Sequence, residues 1–196
     1  MKVGLVGLGR MGSAIYGRLS DHGCEVTAWD RDAGAMKAAA ERQMRLADNA
    51  RAVAAASDIV ITSITEDHGI RAVFLGDDGF LAGDVKGKLF IEMSTVPPEI
   101  QVSLAEKVRA KGAAYVECPV GGSVVPARTG KLMGLMGGEP ADVARARPIV
   151  DQMCRRALHA GAVGSGAKLK LAVNLPLMIY WQALGEQLAM CRSLGI

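Results

Sequence analysis

The 196-residue sequence predicts an α/β protein, a doubly wound parallel sheet followed by one long helix. Three observations predict it. A short apolar strand runs into glycines spaced G-x-G-x-x-G (Gly7, Gly9, Gly12) and then into an apolar helical pattern. Strand-like and helix-like stretches alternate from Val3 to Ala160, as parallel sheets require. A final helical run begins near Ser165 and carries apolar residues on more than one side.

The elements follow in order. Val3, Leu5 and Val6 read as a buried strand, and Met11, Ala14, Ile15 and Leu19 recur three or four apart on a helix. Glu25–Trp29 is the second strand, Ala33–Arg42 an alanine-rich helix, and Met44–Ala47 a weak strand. Asp48 or Asn49 can cap a short helix over Ala50–Ala56. Asp58–Ser63 (DIVITS) is a buried strand, Ile70–Leu75 a short helix, and Gly76–Asp84 a turn region. Leu89–Met93 is a strand. Pro97 and Pro98 then start a helix that runs to Ala110 and stops at Gly112. Ala114–Cys118 is the sixth strand, and the glycine-rich Pro119–Gly138 holds one more at LMGLM. Pro140–Met153 is helical and Ala157–Ala160 a short strand.

In a strand–glycine–helix unit of this kind Gly7 permits the tight turn, Gly9 lets backbone approach a pyrophosphate, and Gly12 lets helix and strand pack closely. The pyrophosphate would sit on the helix N-terminus, against the N–H groups of the Gly7–Leu8–Gly9–Arg10–Met11–Gly12 turn. The next strand ends in an acid, Asp30, at the spacing a dinucleotide fingerprint expects. The pattern is therefore that of a Rossmann-type dinucleotide site, for NAD or NADP. Asp30 can accept from both ribose hydroxyls and would repel a 2′-phosphate, which favours NAD. Arg31 could instead bind that phosphate.

Composition narrows the class. Half the residues are hydrophobic, enough for a sizeable core. The net charge of +3 and scattered basic residues give no reason to expect nucleic acid. Arg155–Arg156, the densest basic spot, reads as charges near a helix end. Cys24, Cys118, Cys154 and Cys191 form no C-x-x-C pair and read as reduced thiols, mostly core. His22, His68 and His159 have no ligand spacing, so no metal is expected. The first strand begins at residue 2, leaving no room for a presequence, and Lys170 and Asn174 interrupt the last apolar run. A cytoplasmic protein without membrane contact is the expectation.

Open parallel sheets bind ligands beyond the carboxyl ends of their strands. The loops there carry Ser63, Ile64 and Thr65, the pair Ser94–Thr95, and Pro119–Ser123 with Gly121, Gly122 and Ser123. Ser94–Thr95 could equally cap the helix after Pro97. Lys170 and Asn174, four apart, share one helix face among the apolar Leu169, Leu171, Ala172, Val173 and Leu175. A lysine set into a dry surface loses basicity toward the range useful for proton transfer. A lysine snorkelling to water beside an asparagine is the plainer alternative.

The motifs GLGRMG, EMSTVPPE, ECPVGGSVVPARTGKLMGLMGG and GSGAKLKLAVN stand in the order and spacing of the β-hydroxyacid dehydrogenases. The chain resembles that family, of which 3-hydroxyisobutyrate dehydrogenase is a member and 6-phosphogluconate dehydrogenase a relative. The resemblance runs from Met1 to Ile196. It implies that Lys170 is the acid–base residue and that Asn174 holds substrate. It places Thr95 near the nicotinamide and the Gly121–Ser123 loop at the substrate carboxylate, with Ser94 beside them. The substrate implied is a small 3-hydroxy acid or its semialdehyde.

Two residues depart from the family pattern. The hydroxyl expected at Gly121 is missing, and Ser123, two residues later, should point elsewhere unless the loop is reshaped. Pro176 lacks an N–H and should kink the helix just past Asn174. The family also continues into an all-helical domain. The expected division is therefore a dinucleotide-binding domain over 1–163 and, over 164–196, a long interdomain helix that starts an absent helical domain. The chain then reads as a fragment whose apolar helix is covered by that domain or by a second subunit, in a homodimer or larger homo-oligomer. A non-catalytic dinucleotide-binding module and an imine reductase are the rival readings; Lys170 argues against both.

Overall fold

The structure, a computed structural model, describes residues 1–196. Eight strands and eight α-helices follow in the order β1 (Lys2–Val6), α1 (Arg10–Asp21), β2 (Glu25–Trp29), α2 (Ala33–Glu41), α3 (Ala50–Ala55), β3 (Ile59–Thr62), α4 (Asp67–Leu75), β4 (Leu89–Glu92), α5 (Pro98–Ala110), β5 (Ala114–Glu117), β6 (Val120–Gly121), α6 (Val124–Arg128), β7 (Leu132–Gly137), α7 (Pro140–Met153), β8 (Cys154–Gly161) and α8 (Ser165–Ser193). They build one eight-stranded sheet in the order β2-β1-β3-β4-β5-β7-β6, with β8 beside β7. β1 to β5 are parallel, as predicted. β7 joins β5 and β6 antiparallel, a reversal the alternation of elements did not show. The chain leaves β1 toward β2 on one side and returns to β3 on the other, which opens a crevice at the carboxyl end of β1.

Strand alternation divides the core between the two sheet faces. Leu5, Ile61, Ile91 and Val116 pack with Ile15 and Leu19 of α1 and with Ile149 and Val150 of α7. Val60, Phe90 and Tyr115 face the other way, with Val53 of α3, Phe74 of α4 and Leu104 of α5. Four aromatic rings meet on this second face, the Phe74–Phe80 pair edge-on at 5.0 Å between centroids. Both faces are fully covered, which is why the central strands read as continuous apolar runs.

Several predicted boundaries move. Met44–Ala47 makes only a single bridge, Ala28 to Leu46, because Tyr16 Oη takes the N–H of Arg45. Asn49, not Asp48, caps α3, accepting from Ala52 N–H at 2.8 Å. α4 starts at Asp67, whose charge suits a first turn, ahead of the predicted Ile70. α6 was hidden by its five-residue length and by Pro126, which a first turn tolerates. β8 begins at Cys154, and the exposed Arg155 and Arg156 at its start masked the strand. Those arginines follow directly on the end of α7. Of the cysteines, Cys118 and Cys154 are buried while Cys24 and Cys191 are partly exposed; all are free thiols.

α8 runs on through Pro176 as a single helix of 29 residues. The loss of that N–H is absorbed without ending the helix. Only Gly166 and Ala167 of α8 are buried. From Leu171 onward most of its apolar residues, among them Leu175, Met178, Tyr180 and Trp181, lie exposed. The largely dry surface expected around Lys170 is therefore supplied by this chain only in part: Lys170 is half-buried, while Leu171, Val173 and Leu175 beside it are exposed. No helix is long and apolar enough to cross a membrane.

Candidate functional site

The glycine turn is fixed from within. Leu8 N–H donates to Asp30 Oδ2 at 2.6 Å, and Ser13 Oγ donates back to Leu8 O at 2.8 Å. A Cβ on Gly7 (φ +99°) would stand 2.2 Å from Ser63 O, and one on Gly12 would stand 1.8 Å from Gly7 O. Both glycines are demanded by the fold itself. Gly9 is different: a Cβ there meets nothing within 4 Å. Its bare backbone fronts an open cleft, so the space a side chain would fill is left for something else. No side chain caps α1, which leaves the N–H groups of its first turn to face an anion. The residues present fit a dinucleotide.

The cleft has two chambers that share Gly9, Ser63, Ile64 and Thr65. The smaller, about 230 Å³, is walled by Gly7, Trp29, Asp30, Arg31 and Glu66. The larger, about 670 Å³, is walled by Arg10, Met11, Gly12, Ser94, Thr95, Gly122, Ser123, Lys170 and Asn174. Loops far apart in sequence thus converge at the strand ends, and they bring almost every residue singled out above into one cleft. Leu8 and Gly121 are the exceptions. Leu8 is buried in the core and its N–H is spent on Asp30. Gly121 lies on β6, paired with Met133 of β7. Ser123, at the start of α6, does line the cavity, so the loop is shaped to bring it in.

The loops after β3 and β4 are tied together from below. Ser94 Oγ accepts from Ile64 N–H at 2.8 Å, and Ser94 N–H donates to Glu92 Oε1 at 2.6 Å. Thr62 Oγ1 donates to Glu92 Oε2. Ser94 therefore joins two loops and does not cap α5, whose start falls to Pro97 and Pro98. Glu92 is fully buried, and burial raises its pKa to about 7 against the pull of these donors.

Glu117 closes the other side. It is buried at the end of β5 and accepts from Gly166 N–H at 2.8 Å and Ala167 N–H at 3.3 Å, in the first turn of α8. A Cβ on Gly166 would press to 2.2 Å from Leu135 O, so the helix start lies tight against β7. Burial raises the pKa of Glu117, and these N–H groups offset part of the rise. Gly166, Lys170 and Asn174 recur every four residues, a single stripe along the helix. Lys170 is half-buried, and burial lowers its pKa. Neither buried glutamate was singled out from the sequence. The available signal was an acid ending an apolar strand, in FIEM and YVEC.

Asp30 Oδ1 also accepts from Asp32 N–H at 2.9 Å, so both carboxylate oxygens already hold backbone. Arg31 is ion-paired with Glu66. No three His, Cys, Asp or Glu side chains come together as a metal site would require.

Comparison with known proteins agrees with this geometry. Residues 2–161 match the family model described as the NAD binding domain of 6-phosphogluconate dehydrogenase. A 3-hydroxyisobutyrate dehydrogenase of Pseudomonas aeruginosa is 34% identical over 188 residues, which is 96% of this chain and 63% of that protein. Glyoxylate/succinic semialdehyde reductase 1 of Arabidopsis thaliana is 32% identical, over the whole chain and 68% of that protein. An imine reductase from Myxococcus stipitatus, in complex with NADP+, superimposes with a TM-score of 0.92 over the whole chain and 68% of that structure. At 21% identity this last likeness is one of fold. The chain spans about half to two thirds of the length of its curated relatives. Its dinucleotide is NAD or NADP, and the chain belongs to the 6-phosphogluconate dehydrogenase and 3-hydroxyisobutyrate dehydrogenase family.

Proposed function

We propose that this chain carries the cofactor site and the proton-transfer residue of an oxidoreductase that interconverts a small 3-hydroxy acid and its semialdehyde. One observation carries the reading: Lys170 and Asn174 of α8 wall the same chamber as the glycine turn, Thr95 and Ser123. When bound, the nicotinamide supplies the acceptor or donor of hydride. The Gly7–Gly12 turn and the first turn of α1 would hold the pyrophosphate, Asp30 the adenosine ribose, and Ser63, Ile64, Thr65 and Thr95 the nicotinamide side. Asn174 would orient the substrate oxygen, while Ser94, Gly122 and Ser123 would take the carboxylate. Gly121, set on β6, would help only by shaping that loop. Lys170 takes the hydroxyl proton during oxidation and returns it during reduction, a role its lowered pKa suits.

Asp30 favours NAD over NADP. We propose the division 1–163 and 164–196, with the exposed face of α8 covered in a homodimer or larger homo-oligomer; no nucleic acid or membrane partner is invoked. The test is a panel of 3-hydroxy acids assayed on the full-length protein with each cofactor. Turnover of one such acid, faster with NAD, is expected. No turnover with either cofactor, despite dinucleotide binding, would leave a non-catalytic binding module.

A further inference from the structure

The smaller chamber is walled by three carboxylates, Asp30, Asp32 and Glu66, and a single cation, Arg31. Two of the carboxylates are committed to the fold. Asp30 holds Leu8 N–H of the glycine turn, and Asp32 Oδ1 caps α2 by accepting from Ala35 N–H at 2.7 Å. Glu66 holds no backbone. Its Oε2 pairs with Arg31 Nη2, and His68 Nε2 lies 3.2 Å both from that oxygen and from Arg31 Nη1. The one basic residue that walls this chamber is therefore already paired, with a side chain that holds no backbone. All three side chains are at least half-exposed, so the pair opens at small cost.

We propose that Glu66 is a cofactor-specificity residue: by holding Arg31 it denies a 2′-phosphate its counter-charge and keeps the site selective for NAD. A ribose diol carries no charge and needs no partner from Arg31. The extra phosphate of NADP must compete with Glu66 for the guanidinium, and it also feels the glutamate's own repulsion. The inference rests on the dinucleotide reading of the cleft. It adds a second selector, on the loop before α4, to the acid at the end of β2. Glu66 can vary without disturbing the glycine turn, whereas Asp30 cannot.

The test is titration calorimetry of NAD and NADP against the chain and its Glu66→Gln, Arg31→Ala and doubly substituted forms. Glutamine keeps the size of Glu66 and removes its charge. Glu66→Gln should tighten NADP by roughly five- to tenfold, the scale of one exposed ion pair and one like-charge contact, and leave NAD nearly unmoved. Most of the gain should be lost in the double variant, because it acts chiefly through Arg31, leaving only the relief of the like-charge contact. An unchanged NADP affinity in Glu66→Gln, or a gain that is undiminished without Arg31, overturns the proposal while NAD binding upholds the cofactor site. Binding of neither nucleotide by the folded parent chain would overturn both together.

Discussion

Glu117 accepts a hydrogen bond from the backbone N–H of Gly166 at 2.8 Å, and this contact joins the sheet to the helix that bears Lys170. Gly166, Lys170 and Asn174 lie on one stripe, so the carboxylate that fixes the first also fixes the rotation of the other two. Glu117→Ala should cost about 1–3 kcal/mol, the range for stranding buried donors, read from the urea midpoint. Glu117→Gln should fall between the two, since its one oxygen can still serve Gly166. Dinucleotide affinity should stay within roughly twofold, because the glycine turn makes no contact with this anchor. A Glu117→Ala chain as stable as its parent would show that α8 docks by packing alone.

The three glycines of the turn should fail differently. Gly7→Ala and Gly12→Ala place a Cβ against backbone oxygen and should destabilise the chain by several kcal/mol, lowering the melting temperature. The Cβ of Gly9→Val would meet nothing within 4 Å, so this variant should leave the melting temperature nearly unchanged while abolishing dinucleotide binding. Retained affinity in Gly9→Val would mean that the cofactor does not pass over this turn.

These contrasts show where sequence was informative. The parallel half of the sheet was legible because strands covered on both faces read as apolar runs, and the glycine spacing carries its own turn. The antiparallel β7 was not, since LMGLM has no direction written in it. α6 was too short to show a period, and Arg155 and Arg156 concealed half of β8. In the cleft, residues in loops after strands could be named in advance. Glu92 and Glu117 could not, because their work depends on partners 2 to 50 positions away, Ser94 and Thr62 for one and Gly166 and Ala167 for the other.

Glu92 should make stability depend on pH. In the unfolded chain it ionises near its ordinary value of 4.5, while in the fold it keeps its proton until about pH 7. Across that window the folded state binds more protons than the unfolded one, so stability falls as pH rises from about 4.5 through 7. Glu92→Gln can still accept from Ser94 N–H, and the Thr62 hydroxyl can turn to accept from its amide. Denaturant curves at several pH values should show this decline in the parent and a flatter profile in Glu92→Gln. Equal slopes would mean that Glu92 is ionised in the fold.

The central claim is that Lys170 moves the proton. The most direct measurement is the turnover of Lys170→Ala in the full-length protein with its best hydroxy acid, alongside dinucleotide affinity. A loss of roughly 10²–10⁴ in turnover is expected, with affinity almost unchanged. Lys170→Arg should not restore it, because a guanidinium stays protonated. Alcohol oxidation by the parent should rise with pH through a lysine pKa below the ordinary value, and that rise should vanish in the variant. Wild-type turnover in Lys170→Ala would contradict the account and leave this lysine a half-buried bystander.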